Sequence, residues 1–256
     1  MAFQTTINPH NLLNRVSPVI VTGCHRSGTS VLTRILNGSG VLMGSRQSVN
    51  NEDLYFQFWN DYLFEVNNLT WYKPGEIKNL GVFQLNAHSS RRMHRLEYPS
   101  LTRRLSLLKM WGWKDPRNTF TLPLWLKIFP GAKVLLIRRN GMDVAMSLHS
   151  RNRSIEDPGN GIEELNSIKN CFNIWISYEI QLRKMESQFK DQILAFKYED
   201  FISQNSDLLE NIQSFLGRKL SKKHLGRLKE NKRKDYPEDL LSVAKESDLM
   251  KEFGYL

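Results

Sequence analysis

Pro18-Val-Ile-Val-Thr-Gly-Cys-His-Arg-Ser-Gly-Thr-Ser-Val-Leu-Thr-Arg-Ile-Leu36 reads as strand, glycine turn and helix in immediate succession. Residues 18–22 form a short apolar, β-branched run ended by Gly23, the pattern of a buried strand. From Ser30 the apolar residues recur at helical spacing, and Asn37-Gly38 supplies a stop. The alternation continues along the chain. Trp111-Gly-Trp-Lys114 reads as a short strand leading into an Asp115-Pro116 turn, and Lys133-Val-Leu-Leu-Ile-Arg138 is a near-continuous apolar run. Ile193-Leu-Ala-Phe-Lys197 reads as a further strand. Helical spacing predicts helices over 52–66, over 122–129 with Pro123 in the first turn, and over 141–150, 162–188 and 206–216.

Residues 87–109, interrupted at Pro99, read as two helices or one kinked helix, and 151–161 as an exposed loop carrying Pro158-Gly159 and Asn160-Gly161. With no fixed-period repeat and no convincing linker, the expectation is a single domain over 1–256, with 1–16 as an N-terminal extension. The fold class expected is α/β: a P-loop-type three-layer fold with a central parallel sheet flanked by helices.

Composition bounds the function. With 256 residues, 40% hydrophobic and 24% charged, the chain has the makings of one substantial core and is neither disordered, collagenous nor membrane-spanning. No run reaches the roughly 18 apolar residues that a bilayer span needs. Thirty-six Lys and Arg against 26 Asp and Glu leave +10, which points to an anionic partner. The surplus is clustered. Residues 91–109 hold six basic residues against Glu97, and 218–235 hold nine against Glu230 and Asp235. Cys24 and Cys171 make neither a disulfide framework nor a zinc site, and residues 1–15 have no basic stretch followed by an apolar core, so the expected compartment is the cytoplasm.

Gly23-Cys-His-Arg-Ser-Gly28-Thr29-Ser30 occupies a strand-to-helix turn, where backbone N–H groups and the positive helix end cradle an anion. It mimics a nucleotide-binding P-loop, but Thr29 stands where the usual lysine follows the second glycine, and the cation has moved upstream to Arg26. A ligand-free glycine turn would use the same residues. A second cluster, Arg138-Arg-Asn-Gly-Met-Asp-Val-Ala-Met-Ser147, again straddles a strand end and a helix start, the edge of a parallel sheet where ligands collect. Arg139 with Ser147 can grip another phosphate; equally, Arg139 can pair with Asp143 and Ser147 can merely pack.

Together these blocks resemble the sulfotransferase family that uses 3′-phosphoadenosine 5′-phosphosulfate (PAPS). Residues 23–30 are similar to its 5′-phosphosulfate loop, Arg139 to Ser147 to its 3′-phosphate motif, and Phe196-Lys-Tyr-Glu-Asp-Phe201 to its late strand end. Lys114-Asp115-Pro116 further resembles the tyrosylprotein branch, while the loop has the form of bacterial members. The resemblance implies sulfuryl transfer from PAPS to an acceptor hydroxyl or amine. The amides of His25, Arg26, Ser27, Gly28, Thr29 and Ser30 would cradle the phosphosulfate, and Arg26 would stabilise the bridging oxygen. Lys114 would reach the transferring group, Arg139 and Ser147 would bind the 3′-phosphate, and Tyr198 would contact adenine. No metal is expected, because the sulfuryl group carries less charge than a phosphoryl group.

The resemblance fixes the base least well. Glu52, in Asn50-Asn-Glu-Asp53, fits the place where bacterial members carry a glutamate, although an acidic residue there also serves as a helix-dipole partner. His25 and His149 are further base candidates. Lys232-Arg-Lys234 lies where cytosolic members contact the 3′-phosphate, without the glycine that follows there. The acceptor stays open between a phenol, a sugar, a lipid and a tyrosine peptide. The aromatics Tyr55, Phe56, Phe58, Trp59, Trp71 and Tyr72 would line its pocket or fill core. Two other classes compete: a P-loop small-molecule kinase, with Asp115 as its magnesium ligand, and a basic nucleic-acid or anionic-polymer binding protein.

Overall fold

The computed structural model describes residues 17–44, 47–80, 110–152, 161–226 and 235–256. Five strands, β1 (Val19–Thr22), β2 (Leu42–Met43), β3 (Trp111–Lys114), β4 (Lys133–Arg138) and β5 (Ile193–Lys197), form one sheet in the order β2-β3-β1-β4-β5. Every pairing is parallel. All their carboxyl ends therefore lie along one edge, and the chain order changes direction on either side of β1, where a parallel sheet opens a crevice for a ligand.

Successive strand residues point to opposite faces, and the core divides accordingly. Ile20, Val134, Leu136, Trp111 and Trp113 face one layer, built from α2 (Leu54–Glu65), α3 (Asn118–Ile128) and the far half of α5 (Ile168–Gln188). Val19, Val21, Leu135 and Ile137 face the other, built from α1 (Thr29–Gly38), α7 (Ser206–Leu216) and α8 (Lys222–Leu225). Beyond the carboxyl edge, α4 (Gly141–Asn152) packs on the first half of α5 and on α9 (Glu238–Glu246) and α10 (Asp248–Glu252), around Phe172, Trp175 and Leu240. The α/β class with helices on both faces of a parallel sheet is thus the observed one. Between β5 and α7 lies a short helix, α6 (Tyr198–Ile202).

Several boundaries differ from the sequence reading. The helix expected from residue 52 begins at Leu54, because the Asp53 carboxylate caps the amides of Tyr55 and Phe56 at 3.0 and 3.4 Å. The helix expected from residue 122 begins at Asn118, so Pro123 lies beyond its first turn, on the exposed side. Asp115 is the cause: its Oδ1 accepts the Arg117 amide at 2.9 Å and its carbonyl accepts that of Asn118, a turn that starts the helix early. The long helix expected over 162–188 is a 3₁₀ turn, Glu163–Asn166, and then α5, which Ser167 caps through the Asn170 amide. The two-residue strand β2 was not foreseen. The helical reading of 87–109 and residues 153–160 of the expected loop lie outside the described residues.

One buried charge makes stability depend on pH. Glu179 on α5 is fully buried; its Oε2 accepts from Arg138 Nε at 3.0 Å, while Oε1 has no hydrogen-bond partner among the described residues. Burial pushes its carboxyl up to about 7, against the pull of Arg138. The folded state therefore holds a proton that the unfolded chain releases near 4.5, and stability falls as pH rises between those values. Unfolding free energies measured between pH 5 and 8 should fall more steeply for the wild type than for Glu179→Gln, with a limit of about 1.4 kcal/mol per pH unit for one proton. Parallel profiles would remove Glu179 from the explanation.

Candidate active site

The turn between β1 and α1 is held in shape from within. The Ser27 hydroxyl and amide both donate to the Cys24 carbonyl, at 2.6 and 3.1 Å, and Ser27 is wholly buried. Its side chain closes the turn rather than facing a ligand. Arg26 adopts a positive φ of 67°, a strained setting for a non-glycine residue. At Gly28, φ is 98° and a Cβ would sit 2.3 Å from Tyr198 Cδ2, so only glycine lets the tyrosine ring lie against the loop. Gly28 caps α1 without any side-chain hydrogen bond, and no acidic residue occupies the first turn. The first amides of the helix are thus left for an anion.

Arg26 leans across to α4, where its Nε donates to Ser147 Oγ at 2.9 Å. Arg139, just beyond β4, donates from Nη1 to the Arg26 carbonyl at 3.1 Å and from Nη2 to Asp143 Oδ2 at 3.1 Å. Its guanidinium lies 4.7 Å from the centre of the Tyr198 ring. Arg26, Arg139, Ser147 and Tyr198, drawn from three strand ends and a helix, therefore form one corner. Both readings of Arg139 meet here: it pairs with Asp143, yet a guanidinium has five N–H donors and still lines the cleft.

Opposite stands a buried ion pair. Lys114, the last residue of β3, donates from Nζ to Glu52 Oε1 at 2.5 Å and to the Asn50 carbonyl at 2.6 Å. Ser48 Oγ donates to Glu52 Oε2 at 2.5 Å. Both charges are nearly inaccessible, Lys114 at 2% and Glu52 at 6% exposure. Burial alone would raise the Glu52 carboxyl, but the Lys114 charge and the hydrogen bonds from Lys114 and Ser48 hold it below its ordinary value. The Lys114 ammonium is lowered, burial outweighing the Glu52 charge. Because Asp53 takes the helix-capping task, Glu52 is spared the role of dipole partner. The Ser30 hydroxyl donates to the Asn50 carbonyl at 2.7 Å, tying the anion loop to the segment that carries Glu52.

A cleft of about 640 Å³ joins the two sides and is lined by His25, Arg26, Gly28, Thr29, Ser30, Glu52, Lys114, Arg139 and Tyr198. Ser27 is buried beneath the turn, and Ser147 reaches the cleft through its bond to Arg26 rather than as a lining residue. His25 packs at a tilt against Trp71, ring centres 4.5 Å apart, and burial together with the charges of Arg117, Lys114, Arg151 and Arg26 pushes its imidazole well below the ordinary range, so it is neutral. His149 is turned away, with Nδ1 3.0 Å from the Leu165 carbonyl. Asp115 is wholly buried; it takes Arg117 Nε and Nη2 at 2.8 and 3.0 Å and Asn60 Nδ2 at 3.0 Å. These bonds occupy the carboxylate that a kinase would have needed for magnesium. Lys232-Arg-Lys234 lies outside the described residues.

Sequence reasoning missed Arg34, Arg117, Arg151 and Asn152 in the cleft wall. Arg151 had a signal, since it follows Ser147 by one helical turn on the same face. Of the aromatics proposed for a pocket, Trp71 lines the cleft, whereas Phe56 and Trp59 are core, Phe56 stacking on Trp113 at 3.7 Å.

A family model described as "Sulfotransferase family" matches residues 18–222. Sequence comparison with curated proteins gives no match. Among solved structures, the fold is similar to that of sulfotransferase STF1 from Mycobacterium tuberculosis H37Rv, at 18% identity and TM-score 0.53, over 97% of this chain and 79% of that one. It is also similar to a sulfotransferase from Alicyclobacillus acidocaldarius, at 14% identity and TM-score 0.52, over 90% of each chain. The sulfotransferase domain from the curacin biosynthetic pathway matches at 16% identity and TM-score 0.52, over 89% of this chain and 82% of that one. At these identities the likeness is one of fold, and it is the family match over the greater part of the sequence, carrying both the anion loop and the Arg139 motif, by which the chain belongs to the sulfotransferase family.

Proposed function

We propose that this sulfotransferase passes the sulfuryl group of PAPS in line to an acceptor hydroxyl, with Glu52 taking the proton and Lys114 and Arg26 balancing the charge in transfer. The observation that carries this reading is the buried Lys114–Glu52 pair, 2.5 Å apart, in the wall of the cleft that also holds the uncapped start of α1. Glu52 stays ionised at neutral pH, and a carboxylate has more lone pairs than Lys114 and Ser48 use, so it can also accept from an acceptor hydroxyl. Protonation of Glu52 would loosen its hold on Lys114 and free the ammonium charge for the phosphate oxygen left behind. Arg26, bonded through Nε to Ser147, would link the 5′ and 3′ ends of the nucleotide. Arg139 would hold the 3′-phosphate and Tyr198 the adenine.

One domain would carry the whole site, since it draws on β1, β3, β4 and β5 of a single sheet. The tyrosylprotein-like element Lys114-Asp115-Pro116 supports a phenolic acceptor, tyrosine included, and Trp71, Leu148, Ile162 and Leu165 give the cleft an apolar wall suited to an aromatic or aliphatic body. Two buried free thiols, Cys24 and Cys171, suit the reducing cytoplasm.

Thermal shift distinguishes the competing classes. Adenosine 3′,5′-bisphosphate should raise the melting temperature without metal, and ATP with magnesium or an oligonucleotide should do less. Arg139→Ala should weaken adenosine 3′,5′-bisphosphate by roughly 30- to 100-fold while changing 5′-AMP by less than about threefold, as expected for one charge-assisted contact. Equal weakening of both nucleotides would refute the 3′-phosphate role.

A further inference from the structure

The chain beyond the family match, from residue 235 onward, returns to the nucleotide end of the sheet. Leu240, Ala244 and Met250 are fully buried against α4 and α5, and Glu252 pairs with Arg183 at 3.0 Å, so this segment is a packed part of the fold. It reaches the 3′-phosphate motif at two carboxylates. Tyr236 Oη donates to Asp143 Oδ1 at 3.1 Å, and Tyr255 Oη donates to Glu199 Oε2 at 3.3 Å. In each case the other carboxylate oxygen faces the motif: Asp143 Oδ2 accepts from Arg139 Nη2 at 3.1 Å, and Glu199 Oε1 from the Asn140 amide at 3.1 Å.

We propose that Tyr236 is a positioning residue for the nucleotide: by holding Asp143 it fixes the plane of the Arg139 guanidinium and so sets recognition of the 3′-phosphate. The Arg139–Asp143 contact in the structure is a single bond through Nη2, which by itself leaves the carboxylate free to rotate about it; a fork-to-fork pair would not. The tyrosine hydroxyl on the second oxygen removes that freedom on the carboxylate side. On the arginine side the Nη1 bond to the Arg26 carbonyl and the Tyr198 ring, 4.7 Å from the guanidinium, hold the plane. Tyr255 acts in the same way on Glu199, which holds the chain at Asn140, immediately after Arg139.

The inference rests on Arg139 contacting the 3′-phosphate, so the test carries both variants. Calorimetric titrations would compare the wild type, Arg139→Ala, Tyr236→Phe and Asp143→Asn with adenosine 3′,5′-bisphosphate and with 5′-AMP. Tyr236→Phe keeps the ring and its packing. It should weaken the bisphosphate about five- to tenfold, leave 5′-AMP unchanged, and raise KM for PAPS with little change in kcat. Asp143→Asn should match it, and the double variant should be no worse than the weaker single one. Equal loss for both nucleotides, or none, in Tyr236→Phe would overturn the positioning role while leaving Arg139 intact. If Arg139→Ala itself fails to discriminate, the 3′-phosphate reading falls and this inference with it.

Discussion

Lys114→Met should lower kcat at saturating PAPS by roughly two to three orders of magnitude, the loss typical of removing one preorganised charge from a transition state. Two consequences follow from the geometry. The ammonium is a cation bonded to Glu52, and its removal leaves a carboxylate at 6% exposure with Ser48 as the remaining side-chain donor among the described residues. Breaking a buried pair from one side costs on the order of 3–5 kcal/mol, unless the surviving charge neutralises itself by taking up a proton. Loss of Lys114 removes the charge that now holds Glu52 below its ordinary value, so burial would push the carboxyl upward and the base would become protonated. Activity of the variant should then recover partly as pH rises. The Lys114→Met, Glu52→Gln double variant separates the two effects: thermal melts should return most of the stability, while turnover stays low. Turnover within a few-fold of wild type in Lys114→Met would end the assignment of this pair to the chemistry.

That pair also marks what the sequence made legible. Both residues stand out singly, Lys114 at the end of an apolar run and Glu52 before an aromatic one, but 62 positions separate them and their contact depends on strand order. A local pattern reports which residues form β3; it does not report that β3 lies between β1 and β2. The strands β1, β3, β4 and β5 and the helix α7 were legible because their apolar runs and turn residues agree with the final fold. Two-residue β2 has too little length for any period. The early start of α3 lies in one side-chain hydrogen bond of Asp115, and Tyr236 carries no motif at all. Charge was legible in amount and less so in use. Arg218, within one of the basic stretches, donates its Nε to the Ser39 carbonyl at 2.6 Å and fastens the end of α1.

Gly28→Ala is the second large effect, and it tests the loop as a whole rather than any one ionic contact. The added methyl meets Tyr198 Cδ2 at 2.3 Å and Cε2 at 2.6 Å, well inside van der Waals contact, and φ of 98° is a backbone setting that alanine resists by about 1–2 kcal/mol. Relief requires that the loop turn away or that the tyrosine ring move. Turning the loop rotates the first amides of α1 out of the cleft; moving the ring takes away the surface on which Arg139 rests. Either way both ends of the nucleotide site are damaged by one methyl group. Affinity should therefore fall at least about 100-fold for adenosine 3′,5′-bisphosphate and comparably for 5′-AMP, in contrast to the selective loss expected of Arg139→Ala. A melting temperature lowered by roughly 4–8 °C corresponds to about 2 kcal/mol in a chain of this size. Tyr198→Ala in the Gly28→Ala background would remove the collision but keep the backbone strain, so it should restore part of the stability and little of the binding. Unchanged binding in Gly28→Ala would mean that the start of α1 is not where the phosphosulfate sits, because no arrangement of this turn accommodates both the methyl and the ring.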